Sequence, residues 1–169
     1  MTAVRALAAF LAVCVALVLQ VSLFPHLAWQ GIVPNLCLLV VVAAALTRGA
    51  QFAAVLGFVA GVTLDLAPPA DHVAGRWALA LVVVGYVAGR MRQDVRPSAT
   101  AVVATVAASS FIGTSVFALS GLVLRDPAMA IPDLLEVILV AVLWDVLLTP
   151  FVLPLVMAMF HRLEPARNT

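Results

Sequence analysis

The chain has 169 residues, of which 65% are hydrophobic and 10% charged, with a net charge of +1 and a mean hydropathy of +1.20. Soluble domains carry roughly 25% charged and about half apolar residues, and a core of this size cannot hide so much apolar surface from water. These numbers exclude a water-soluble domain and predict an all-α integral membrane protein, one transmembrane domain over residues 1–169.

Charge-poor apolar runs predict a compact bundle of six transmembrane helices. The first, Val4 to Phe24, begins near Arg5 and resembles a secretory leader. Its apolar run exceeds the 7–15 residues of a leader core and no small-x-small cleavage site follows, so a retained helix is expected. The second, Val33 to Leu46, is led by Pro34 and ends in a Thr47–Arg48–Gly49 turn, with Pro34 expected at the first helical position. The third, Ala50 to Ala67, is stopped by Pro68 and Pro69. The fourth runs from Trp77 to Arg90, the fifth from Ser98 to Leu124, and the sixth from Leu134 to Phe160, opened by Pro132 with Asp133 and Glu136 in its first turn. The second and fourth are short for a hydrocarbon core that needs about 20 residues. A re-entrant hairpin over Val33 to Ala67 would reduce the count to five.

Charge sets the direction. All nine basic residues are Arg; with the N-terminus inside, seven of them (Arg5, Arg48, Arg90, Arg92, Arg96, Arg162 and Arg167) face the cytoplasm, and only Arg76 and Arg125 face out. This asymmetry follows the positive-inside rule and predicts both termini in the cytoplasm, with Trp29 and Trp77 at the outer interface and Asp71, Asp126 and Asp133 outside. The inner loop holding Arg90, Arg92 and Arg96 suits anionic headgroups or a docking partner.

Within the spans, small and acidic residues carry the information. Gly57, Gly61 and Asp65 stand four apart on one helical stripe, and Gly85 and Gly89 repeat the spacing in the fourth span. Such pairs let a second helix come close; Ala8, Ala12 and Ala16, and Ser109 with Gly113, show the same device. Asp145 stands near mid-membrane before Pro150 and Pro154, where a carboxylate costs about 2.5–3.5 kcal/mol on insertion scales. It is expected either to serve a functional site or, protonated, to bond across to another helix. Cys14 and Cys37 lie in apolar runs and read as packing residues, without disulfide or metal.

No enzymatic constellation emerges. His26, His72 and His161 sit at span ends, so Ala118 to Gly121, faintly like an intramembrane protease turn, has no base within the membrane. No phosphate loop or metal motif is present, and no cofactor is expected.

Taken in order, "VPNLCLLVVVAAALTRG" (Val33 to Gly49), "GFVAGVTLDL" (Gly57 to Leu66) and "ALALVVVGYVAG" (Ala78 to Gly89) resemble the rod shape-determining protein MreD family, as does the terminal "WDVLLTPFVLPLV". The resemblance implies a non-enzymatic scaffold of the bacterial cell-elongation complex in the inner membrane. It would bind the bitopic protein MreC and link through it to RodA, its partner transpeptidase and MreB. It carries over to Pro34, Gly57, Gly61, Asp65, Gly85 and Gly89, whose small-residue faces would receive the partner's helix while Asp65 to Arg76 hold its emerging segment. The plan is also distantly similar to substrate-binding subunits of energy-coupling-factor vitamin transporters. On that alternative Asp65, Asp145, Trp77 and Asn35 line an outward pocket for a small molecule.

Overall fold

The computed structural model describes residues 2–29, 31–68, 72–92, 97–125 and 134–162. Among them are six α-helices: α1 (Thr2–Ser22), α2 (Leu36–Arg48), α3 (Ala50–Leu66), α4 (Arg76–Arg90), α5 (Ala99–Val123) and α6 (Leu134–Arg162), with a 3-10 turn at Phe24–Leu27. Three segments, Val4–Ser22, Ala99–Val123 and Leu134–Arg162, are long and apolar enough to cross a membrane; α2 and α3 are shorter apolar helices.

The bundle is built around α2. Every residue from Leu36 to Thr47 is buried, and α2 packs on each of the other five helices. Its sequence is apolar on all sides, as a helix without a solvent face must be. At about 1.5 Å per residue its 13 residues span about 20 Å, well short of a hydrocarbon core.

The start of α2 differs from the expectation. Pro34 is not the first helical residue; it precedes Asn35, which is the N-cap and accepts from the Leu38 amide through its side chain at 2.9 Å. The cap moves the helix start to Leu36, because a side-chain acceptor satisfies an amide that proline's fixed φ alone leaves open. Pro132, Asp133 and Pro69 lie outside the described residues; Glu136 is in the first turn of α6.

The turn between α2 and α3 is a single residue. Gly49 has φ +85°, donates its amide to Ala45 O at 3.0 Å and accepts from the Ala53 amide at 3.1 Å. That left-handed backbone suits glycine. α6 runs unbroken through Pro150 and Pro154, and the Thr149 hydroxyl donates to Asp145 O within it.

Two bonds orient the bundle ends. Arg48 donates to Phe160 O at 2.9 Å, bringing the C-terminal ends of α2 and α6 together. The Cys37 amide donates to Gln20 Oε1 at 3.4 Å, which sets α1 antiparallel to α2. Both described chain ends therefore lie at one end of the bundle, the terminal end; Asp65 lies at the other. Phe52 meets the Phe160 ring edge-on at 6.0 Å beneath Arg48.

Candidate functional site

The stripe of Gly57, Gly61 and Asp65 faces α4, and α4 faces back with its own glycines. A Cβ on Gly57 would collide with the Leu81 carbonyl, and one on Gly61 with the backbone of Ala78 and Trp77. Reciprocally, a Cβ on Gly85 would strike the Ala53 carbonyl, and one on Gly89 the backbone of Ala50. The four glycines form one antiparallel seam in which two helix backbones touch. A second chain has no access to these surfaces: the face expected to receive a partner's helix is filled by the protein's own α4. Spacing says that a close neighbour exists, without saying which helix supplies it.

Asp65 completes the seam. Its carboxylate, almost fully buried, accepts from the amides of Gly75 (2.9 Å), Trp77 (3.1 Å) and Ala78 (3.1 Å), and lies 3.1 Å from His72 Nε2. These amides open α4, and a helix's first N–H groups have no partner within it. Gly75, at φ +97°, turns the chain so that its own N–H joins them. Asp65 is thus an N-terminal cap supplied by the preceding helix, its charge set against the positive end of the α4 dipole. Asp65→Ala is expected to lower stability by about 2 kcal/mol or more, whereas Asp65→Asn, keeping one acceptor oxygen, loses less. Thermal unfolding in detergent measures both.

Beside this cap lies a cluster that the sequence does not announce. Arg76, read as an outer-loop charge, is only 2% exposed and is the first residue of α4. Its guanidinium donates to Phe117 O from Nε (3.2 Å) and Nη2 (2.8 Å), and lies 3.8 Å from the Phe117 ring centroid. A side chain on Gly121 would occupy the place of that guanidinium. Trp77 stacks on Phe117 at 4.3 Å, and His72 meets the same ring edge-on at 5.3 Å. The cluster locks α5 to the α3–α4 pair. Ala118 to Gly121 is ordinary helix whose glycine makes room for Arg76. The only hint in the sequence is an Arg one residue before an interfacial Trp.

Asp145 repeats the logic of Asp65 deeper in the bundle. It is 1% exposed; Oδ1 accepts from the Asn35 amide at 2.8 Å and Oδ2 from the Ser110 hydroxyl at 2.7 Å. Asn35 opens α2, so this carboxylate from α6 also caps another helix's N-terminus, and it ties in α5 through Ser110. Nearby, Gln20 takes the Cys37 amide. The costly acid thus serves one helix-end amide of α2 and one hydroxyl of α5.

The four residues expected around an outward pocket fall into two separate networks, Asp65 with Trp77 and Asp145 with Asn35. Three apolar cavities, lined by α1–α3, α1–α6 and Trp29–α6 residues, include none of the four. At the terminal end Arg90 and Arg92 are exposed, and Arg92 Nη1 lies near Gly49; Arg96 lies outside the described residues. Cys14 and Cys37 are free thiols.

Glycine seams, cross-helix caps and lipid-length apolar helices define a helical membrane protein built for close internal packing. The family model described as rod shape-determining protein MreD matches residues 2–161, nearly the whole chain. The chain belongs to that family of membrane proteins that determine rod shape. No curated protein and no solved structure matches it.

Proposed function

We propose that the chain is a non-enzymatic scaffold of the cell-elongation machinery. It spans the bacterial inner membrane six times with both termini cytoplasmic, and holds an MreC-like bitopic protein so that lateral peptidoglycan synthesis is organised around it. Through that partner it is linked to RodA, the partner transpeptidase and MreB. Family membership over residues 2–161 carries this reading, and the seven-to-two distribution of Arg supports the orientation.

With the glycine seam closed, the partner's helix is assigned to the outer half of α6. There Leu135, Leu139, Leu143 and Leu147 stand exposed at four-residue intervals, a ridge of the kind that fits between the ridges of a second helix. Beside it a cavity of about 240 Å³ between Trp29, Val140, Leu143, Trp144 and Leu147 offers a socket for a side chain. A partner that continues into an outer domain leaves the membrane at this end.

The test is co-purification with a co-expressed MreC-like protein. Combined Leu139→Ala, Leu143→Ala and Leu147→Ala is expected to reduce recovery at least tenfold with little change in thermal stability, because these side chains touch little of the bundle. Phe111→Ala with Leu119→Ala, on the exposed face of α5, serves as the control. Full recovery with the triple variant removes the α6 ridge from the proposal; failure of the unaltered chain to recover the partner removes the scaffold reading itself.

A further inference from the structure

Two guanidinium groups at the terminal end have donors with no acceptor among the described residues. There Arg5 Nη2 and Arg48 Nε are buried without a hydrogen-bond partner, although Arg48 uses Nη2 on Phe160 O. No carboxylate among the described residues is placed to meet them: Asp65 caps α4, Asp145 caps α2, and Glu136 is in the first turn of α6, at the opposite end. The register set by Gln20 and Cys37 makes Arg48 level with Ala9, one turn along α1 from Arg5. Guanidinium forks at a membrane surface match a phosphate in shape and charge.

An apolar groove starts at the same place. α1 and α6 diverge over α2 and leave a cavity of about 660 Å³ along Ala8, Ala12 and Ala16 of α1, Val40 of α2, and Val152 and Met159 of α6. Ala8 is one turn from Arg5, and Met159 adjoins the residue whose carbonyl Arg48 holds. Along α1 the groove runs from Ala8 to Leu19, about 16 Å at the helical rise. That is roughly half of a hydrocarbon core of about 30 Å, the depth of one leaflet. A membrane-spanning helix runs through both leaflets, whereas an acyl chain ends in one. The small side chains of Ala8, Ala12 and Ala16 leave a slot of matching width.

We propose that this groove holds one acyl chain of an anionic phospholipid, from the leaflet facing the terminal end, whose headgroup phosphate accepts hydrogen bonds from Arg5 and Arg48. The lipid fills the gap between α1 and α6 and brings a negative charge to the two partly buried guanidinium groups.

Native mass spectrometry of the full chain in detergent, titrated separately with dioleoyl phosphatidylglycerol and dioleoyl phosphatidylcholine, tests this. The expected result is at least tenfold stronger retention of phosphatidylglycerol. Arg5→Gln should abolish that preference, and Ala12→Phe, which fills the slot, should remove both lipids. Arg48→Gln should act like Arg5→Gln; because Arg48 also holds the end of α6, Arg5→Gln is the decisive variant if Arg48→Gln does not fold. Equal retention of the two lipids overturns the proposal, as does Arg5→Gln behaving like the unaltered chain. An equal loss with Arg90→Gln would show unspecific surface charge and also overturns it. If Ala12→Phe keeps its lipid but loses a co-expressed bitopic partner, the groove belongs to a helix and the lipid assignment fails.

Discussion

Gly61→Leu is expected to abolish the folded bundle: the variant should elute as aggregate from size exclusion, or melt at a far lower temperature than the unaltered chain. The reason is what surrounds the missing side chain. A Cβ at Gly61 would overlap the Cα and amide of Ala78 and sit within contact of Trp77 O, all backbone atoms. Overpacking a close-packed interior costs about 1–3 kcal/mol where neighbouring side chains can rearrange. Here the neighbours are a helix backbone that cannot rotate away, and separating α3 from α4 would also pull the Gly75, Trp77 and Ala78 amides off Asp65. Gly113→Ala is the contrast. Its Cβ would meet only Leu38 Cδ1 at 3.0 Å and Val84 Cγ2 at 3.1 Å, side-chain ends that can shift, and the helix gains about 1 kcal/mol from Ala over Gly, so a stability within about 1 kcal/mol of the unaltered chain is expected. Equal melting temperatures for Gly61→Leu and Gly113→Ala would show that the seam is not a contact between backbones. Loss of an MreC-like partner in Gly61→Leu would come from the collapsed fold and would not locate the partner's binding face.

The helices themselves were legible, because apolar runs between Pro, Gly and Arg mark where a chain can lie in lipid. Their ends were less so. Val33 and Pro34 belong to the same uncharged run as α2, yet the Asn35 cap holds them outside the helix. The four glycines were recognisable as a packing device, but a spacing on one helix does not name the helix it meets. The carboxylates were hardest to place. Asp65 and Asp145 find their donors largely in backbone amides of other helices, and nearly every residue carries such an amide, so no sequence pattern points to them. Arg76 misled for a related reason: next to Trp77 and near a turn it looks like an interfacial charge, while the carbonyl and ring of Phe117, 41 residues away, draw it inside. What composition cannot show is a polar group whose partner is main chain.

Asp145 gives the sharpest test of that view. In Asp145→Leu the Asn35 amide and the Ser110 hydroxyl both lose their acceptor in a buried place, and each orphaned group costs about 1–3 kcal/mol. A loss of about 2–5 kcal/mol is therefore expected, enough to unfold a marginally stable bundle. Asp145→Asn should behave quite differently. Its carbonyl oxygen can accept from the Asn35 amide as Oδ1 does now, and its NH₂ can donate to Ser110, since a hydroxyl serves as donor or acceptor. Within about 1 kcal/mol of the unaltered chain is the expected result, read from thermal unfolding in detergent alongside rescue of rod shape in cells lacking their own copy. Rescue by Asp145→Asn would mean that the residue acts by connecting α2, α5 and α6. An Asn variant that melts like the unaltered chain but leaves cells round would assign the ionisable carboxyl group a task in the assembled machinery. If Asn is as destabilising as Leu, the two-bond geometry at Asn35 and Ser110 is not what holds this part of the bundle together.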